Sequence, residues 1–251
     1  MRTPWFAVIL PGLLLAAAFP AASRIPGDTQ SADSAAIHAA SVAEAAPAPR
    51  TLYLIRHGFY DENDKRAPEV GKALLPLGVA QARLVANRLR SLPVHFSVIY
   101  SSTMTRARET ALVIHRELDG VDMIESRLLA ECTPPTWRED IMADCDQAEL
   151  AACQEQLEEA FARFFVPASG EARHDILVCH GNVIRYFVTR VLDVDPMSWL
   201  KMSIGNCSLT VVRVNPDGTM KLLLFGDVGH VPPNLQTGLD SVERILVVPR
   251  N

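Results

Sequence analysis

The chain is poor in several things at once. Aromatic residues make up 6% of it, and 24 Lys and Arg are outnumbered by 29 Asp and Glu, for a net charge of -5. With no basic excess to neutralise a nucleic-acid backbone, DNA and RNA are not expected partners. An acidic balance still allows a local basic pocket for a small anion. The five cysteines show no zinc-site or redox-pair spacing. Thirteen Gly and seventeen Pro are too few and too irregular for a collagen-like or low-complexity chain. No internal repeat is visible. The apolar run Pro4 to Phe19 is shorter than the about 20 residues a membrane span usually needs. What the chain does have is length and apolarity: at 251 residues and 49% hydrophobic it can bury a full core.

Arg2, the short apolar run and the small residues Ala21-Ala22-Ser23 together read as a secretory signal peptide over residues 1–23. An uncleaved membrane anchor is the alternative. The signal reading predicts an exported protein, periplasmic or extracellular. Nine of the 27 residues from 24 to 50 are Ala, and Pro26, Pro47 and Pro49 interrupt them. Such a segment buries too little apolar surface to offset its ordering entropy, so it reads as a flexible linker. A folded domain is expected over 51–235 and a tail over 236–251.

Within the domain, Thr51 to Ile55, Phe96 to Tyr100 and Asp175 to Cys179 are apolar, β-rich runs and read as buried strands. Val121 to Ile124 is a weaker one. A helix is expected to start near Pro76, with Val79, Ala82, Val85, Ala86 and Leu89 on its apolar stripe. A second helix, capped by Ser101 or Ser102, carries Ala107, Ala111, Ile114 and Leu118. Further helices are expected over 147–165 and 182–192. Asn215-Pro216-Asp217-Gly218 marks a hairpin between 207–214 and 220–225. Strands alternating with helices predict an α/β fold, a three-layer α/β/α sandwich on a mostly parallel sheet.

Ligands in such sheets bind beyond the carboxyl ends of the strands. The three main strands run into Arg56-His57-Gly58, into Ser101-Ser102 and then Arg106, and into His180-Gly181-Asn182. Two fork-shaped guanidiniums suit phosphate oxygens. Glycine at 58 lets backbone N–H groups approach a ligand. Helices beginning after Ser102 and Gly181 add positive ends. A neutral His57 beside two arginines, which disfavour its imidazolium, is a competent nucleophile.

Leu54-Ile55-Arg56-His57-Gly58 resembles the signature of the histidine phosphatase (phosphoglycerate mutase-like) superfamily. Leu75 to Ala82, Ser101-Ser102 to Thr110, Leu128 to Glu131 and Val178 to Arg185 resemble its later blocks, in order. The similarity covers residues 51 to 233. Asn182 to Tyr186, Trp199-Leu200, Asn206 and Val231-Pro232-Pro233 are most similar to the mitochondrial protein Ser/Thr phosphatase branch. Residues 24–50 contain no Trp, so that branch's assembly motif is not seen there.

The resemblance implies a phosphomonoesterase working through phosphohistidine. His57 attacks phosphorus, Arg56, Arg106 and His180 hold the equatorial oxygens, and Glu131 serves as acid and then base. Gly58 and Asn182 are candidate additional phosphate contacts. No cofactor or metal is implied. The expected partner is a phosphorylated substrate, a phosphoprotein or a small ester, and a homo-oligomer is compatible. Three alternatives stand beside it: a phosphoglycerate mutase-type isomerase, a silent phosphate-ligand binding protein, and a zinc hydrolase using His57, His180 and a carboxylate. Against zinc, Arg56 and Arg106 would repel the cation. His38, His95, His115, His174 and His230 read as bystanders. Cys179 and Cys207 read as small hydrophobes. In an exported chain, one pair among Cys132, Cys145 and Cys153 would be oxidised, with Cys132–Cys145 as the first guess.

Overall fold

The computed structural model describes residues 45–239; the signal or anchor segment therefore lies outside the described residues. In chain order the elements are β1 (Pro47–Ala48), β2 (Arg50–Arg56), α1 (Pro76–Arg90), β3 (Val98–Ser102), α2 (Thr105–Glu117), β4 (Asp122–Ser126), the short α3 (Glu139–Met142), α4 (Gln147–Phe164), β5 (Ala168–Ser169), β6 (Arg173–Cys179), α5 (Gly181–Val191), β7 (Leu209–Val214) and β8 (Met220–Asp227). Six strands form the main sheet in the order β4-β3-β6-β2-β7-β8. The β4-β3, β3-β6 and β6-β2 ladders are parallel, and only the hairpin side, β2-β7-β8, is antiparallel.

Side-chain alternation divides the core into two layers. From β2, Leu52 and Leu54 pack with Leu177 and Cys179 under Leu157, Phe164 of α4 and Ile184, Phe187 of α5. Tyr53 and Ile55 face the other way, with Ile176 and Val178, under Ala82, Val85, Leu89 of α1 and Ala107, Ala111, Ile114 of α2. Helices thus cover both faces, as a near-continuous apolar strand requires. The three strands that end in Arg56, Ser102 and Cys179 are neighbours in the middle of the sheet, so their carboxyl ends open at one place.

Several expectations need correction. The linker does not run to 50: Pro47 and Ala48 pair with Ser169 and Ala168, and Arg50 begins β2. Arg50 is drawn in by the fully buried Asp175, 2.6 Å away, and also donates to the Phe164 carbonyl. At the other end residues 236–239 are not a loose tail, because the Thr237 carbonyl accepts from the Asn206 N–H and the Gly238 carbonyl from Arg56. Neither serine caps α2. Its N-cap is Met104, whose N–H donates to the Ser102 hydroxyl. The disulfide joins Cys132 to Cys153, not to Cys145, which is a free thiol. Cys153 lies on the buried stripe of α4 and so faces Cys132.

Candidate active site

His57 sits one residue past β2 and is buried at 2% exposure. Its Nδ1 lies 2.9 Å from the Gly58 carbonyl, which can only accept, so Nδ1 carries the proton. Its Nε2 accepts from Arg106 Nε at 3.1 Å, so the lone pair faces the pocket side held by that guanidinium. Burial, then the charges of Arg106 and Arg56, hold the imidazole well below the usual histidine range. The Tyr60 ring stands edge-on to His57, and the Arg106 guanidinium lies over the same ring, 4.8 Å from its centre.

The His180 ring is centred 5.1 Å from that of His57. It is fully buried as the N-cap residue of α5, with Nε2 2.8 Å from the Ser102 hydroxyl. The Ser102 oxygen also accepts from the Met104 N–H. The His180 Nδ1 is buried without a hydrogen-bond partner, 3.8 Å from a Glu131 oxygen. Burial, before the neighbouring His57, Arg106 and Arg56, keeps this imidazole uncharged as well.

Glu131 reaches the same place from the loop after β4. Burial pushes its carboxyl up to about 7, against the opposing pull of Arg106 and Arg56. Its Oε1 accepts from the Asn182 N–H in the first turn of α5. The Arg56 guanidinium donates to the Ile204 and Gly238 carbonyls, while its Nε is buried without a partner. The structure therefore brings Arg56, His57, Arg106, Glu131 and His180 together.

Two predicted phosphate contacts are placed differently. The Gly58 N–H donates to Thr110 Oγ1 and is not offered to a ligand. Glycine is needed there because a Cβ at 58 would meet the Gly78 carbonyl at 2.6 Å, and one at 78 would meet the Phe59 carbonyl at 1.9 Å. The Asn182 side chain donates to the Cys132 carbonyl and accepts from Arg185, so it holds the segment bearing Glu131. Ser102, Thr110 and Tyr60 escaped the sequence reading. Ser102 and Thr110 stood inside a motif block, but nothing in sequence marks a hydroxyl's partner 52 or 78 positions away.

Ligand atoms of His57, Glu131 and His180 lie within 4.8 Å of one another, a spacing a metal could use. The donor set argues otherwise. Arg106 points an N–H into the His57 lone pair a cation would need, and Arg56 adds a second fixed positive charge. The arrangement suits a tetrahedral oxyanion.

The sequence profile of the histidine phosphatase superfamily (branch 1) matches residues 52–227. The chain belongs to this superfamily. Among curated relatives of this histidine phosphatase chain, the mitochondrial serine/threonine-protein phosphatase Pgam5 of Caenorhabditis elegans is 40% identical over 200 residues, 75% of this chain and 66% of the relative. The Homo sapiens protein of that name is 35% identical over 199 residues, 75% and 66% of the two chains. The chain thus spans about two thirds of the length of these relatives. A solved phosphoglycerate mutase from Plasmodium falciparum superposes with TM-score 0.52 and 26% identity, over 74% of this chain and 95% of that one. Bacillus stearothermophilus YhfR, at TM-score 0.57 and 22% identity over 73% and 100%, shares the fold. The comparison overturns the expectation of an exported, periplasmic or extracellular protein with a signal peptide, since the relatives are mitochondrial proteins. A single arginine before a short apolar run is a generic membrane-directed pattern and does not name the compartment.

Proposed function

We propose that this chain is a metal-independent phosphomonoester hydrolase that works through a phosphohistidine at His57, with phosphoserine or phosphothreonine in proteins as its substrate class. The observation that carries the reading is the hydrogen-bonding of one ring: Nδ1 tied to the Gly58 carbonyl and Nε2 bare except for an arginine N–H. The named relatives support the protein-phosphatase half of the reading.

In this reading the phosphoryl oxygens take over the Arg106 N–H, together with donors from Arg56 and His180. Developing equatorial charge meets donors already in place. His57 Nε2 forms the bond to phosphorus as the bond to the leaving oxygen breaks. Glu131 gives its proton to that oxygen. The ionised Glu131 then takes a proton from water as the new P–O bond forms and the N–P bond breaks. A carboxyl near 7 serves both roles at neutral pH. In this reading the apolar run after Arg2, within residues 1–23, is the N-terminal membrane tether; no helix of the described residues is long and apolar enough to cross a membrane.

The test is a substrate panel of phosphoserine and phosphothreonine peptides, an aryl phosphate and a phosphoglycerate, with and without chelator. Release of free phosphate that is unaffected by chelator and lost in His57→Ala is expected. Isomerised phosphoglycerate without net phosphate release would point to the mutase reading. Full activity of His57→Ala would defeat both.

A further inference from the structure

We propose that Thr237 is a positioning residue for the nucleophile, acting through Asn206 and Gln81 on the two peptide groups that flank Gly58. The inference rests on the reading of His57 as the nucleophile. Thr237 lies beyond the segment matched by the family profile, which ends at 227.

The observation is a closed circuit of hydrogen bonds. Asn206 Nδ2 donates to the His57 carbonyl at 2.9 Å. Asn206 Oδ1 accepts from the Thr237 hydroxyl at 2.9 Å. That hydroxyl accepts from Gln81 Nε2, also at 2.9 Å, while the other Nε2 hydrogen goes to the Leu235 carbonyl. Gln81 Oε1 returns to the chain by accepting from the Phe59 N–H at 2.9 Å. The circuit therefore holds the carbonyl of residue 57 and the amide of residue 59. Between them lies the Gly58 peptide, whose carbonyl fixes the His57 ring.

The direction of each bond follows from what the groups can do. Gln81 presents only hydrogens to Thr237, so the hydroxyl must accept there and donate to Asn206. One hydroxyl thus orients two side-chain amides that are almost wholly buried, Gln81 at 0% and Asn206 at 3% exposure. A fully buried glutamine on the apolar stripe of α1 has no packing advantage, and the circuit accounts for it. The same short segment supports Arg56: Gly238, at φ +69, brings its carbonyl to that guanidinium, and a Cβ there would strike Asn206 Oδ1 at 2.6 Å and Arg56 at 2.7 Å.

Removing the hydroxyl leaves the backbone of the segment in place, because the Asn206 N–H still donates to the Thr237 carbonyl. The effect should then fall on how the ring is presented and not on whether phosphate binds. Misplacing a reacting group by about 1 Å costs on the order of 100-fold in rate, and a smaller shift costs less, on the order of 10-fold. In the full chain, Thr237→Val is expected to lower kcat by about that factor with KM within about two-fold. Thr237→Ser, which restores the donor and acceptor, is expected to recover most of it. Phosphoenzyme formation in a single turnover should slow in the valine variant by the same factor as kcat.

Equal kcat in the valine and serine variants would overturn the proposal, as would a loss carried wholly by KM. Thr237 is only partly buried, so the valine variant is expected to fold. Thr237→Ala against Thr237→Ser gives the same comparison if the valine variant does not. His57→Ala separates the two layers of the argument: its activity decides the nucleophile, whereas the Thr237 series decides the positioning.

Discussion

A free histidine side chain titrates near 6.5, so at neutral pH it is largely but not wholly uncharged. Burial and two guanidiniums remove that ambiguity at His57. The pH dependence of kcat/KM should therefore lack a histidine limb near 6.5 and should fall on the alkaline side with the proton of Glu131, near 7. Glu131→Gln should slow phosphoenzyme formation from an alkyl phosphate by about 10²- to 10⁴-fold, and less from a nitrophenyl ester that leaves without a proton. The same carboxyl makes a stability prediction that runs the same way with pH as the activity. Its folded-state value of about 7 lies above the ordinary 4.5, so the folded chain holds a proton that the unfolded chain has lost within that window. Stability then declines as pH rises through the window, by about 1.4 kcal/mol per unit. Melting curves of Glu131→Gln should lie above wild type at about pH 8.5 and meet it near about pH 4; coincident curves at both would contradict the assignment. Arg56, His57 and His180 were legible in the sequence because polar residues at the ends of apolar strands stand out, and Arg106 because it lies in the motif block that follows the second strand. Ser102, Thr110 and Gln81 were not, because a small polar residue announces neither its burial nor a partner far along the chain.

Helices and strands were legible wherever periodicity was long. Helix α4 was expected over 147–165 and spans Gln147–Phe164, and the stripe Ala107, Ala111, Ile114, Leu118 is buried. What periodicity missed were the joints between elements. Helix α1 meets the loop after β2 through Gly58 and Gly78 at backbone contact. Gly78→Ala places a carbon 1.9 Å from the Phe59 carbonyl oxygen, so the helix must move away from the nucleophile loop. We expect a loss of at least about 2 kcal/mol in denaturant unfolding, and a lower kcat in whatever remains folded. The disulfide is a second joint. Cys132 follows Glu131 directly, and Cys153 and Gln156 of α4 tie down the segment 128–132 through the sulfur bridge and the Ala130 carbonyl. Opening this 21-residue separation by reduction should cost about 3 kcal/mol of stability, read as a drop in melting temperature under dithiothreitol that Cys153→Ser, which lacks the bridge under either condition, does not show. The cysteine count could not choose the pairing, because that choice follows from which face of α4 Cys153 occupies.

At the scale of the molecule, the ends of the domain depart most from the sequence reading. Alanine and proline in 24–50 carried no folding signal, yet the last residues of that zone are fastened to β5 and β6. The reason is one buried charge. Asp175 is fully buried in β6, and Arg50 is the nearer and more buried of the two arginines paired with it, the other being Arg173. Arg50→Ala leaves the carboxylate only the more exposed Arg173, 3.3 Å away, and should destabilise by up to about 3 kcal/mol. A chain beginning at residue 51 should therefore melt well below one beginning at residue 45. At the other end, Thr237 and Gly238 fold back on Asn206 and Arg56, so residues near 237 help to complete the site. The central claim is that this assembly presents His57 to phosphorus. The most direct measurement is a rapid quench with a 32P-labelled phosphoserine peptide at about pH 5.5, where Glu131 keeps its proton and water attack is slow. The account predicts an acid-labile, alkali-stable label on the peptide containing His57, formed before free phosphate is released. Label on any other residue, or release of phosphate with no label on His57 at any time, would contradict it.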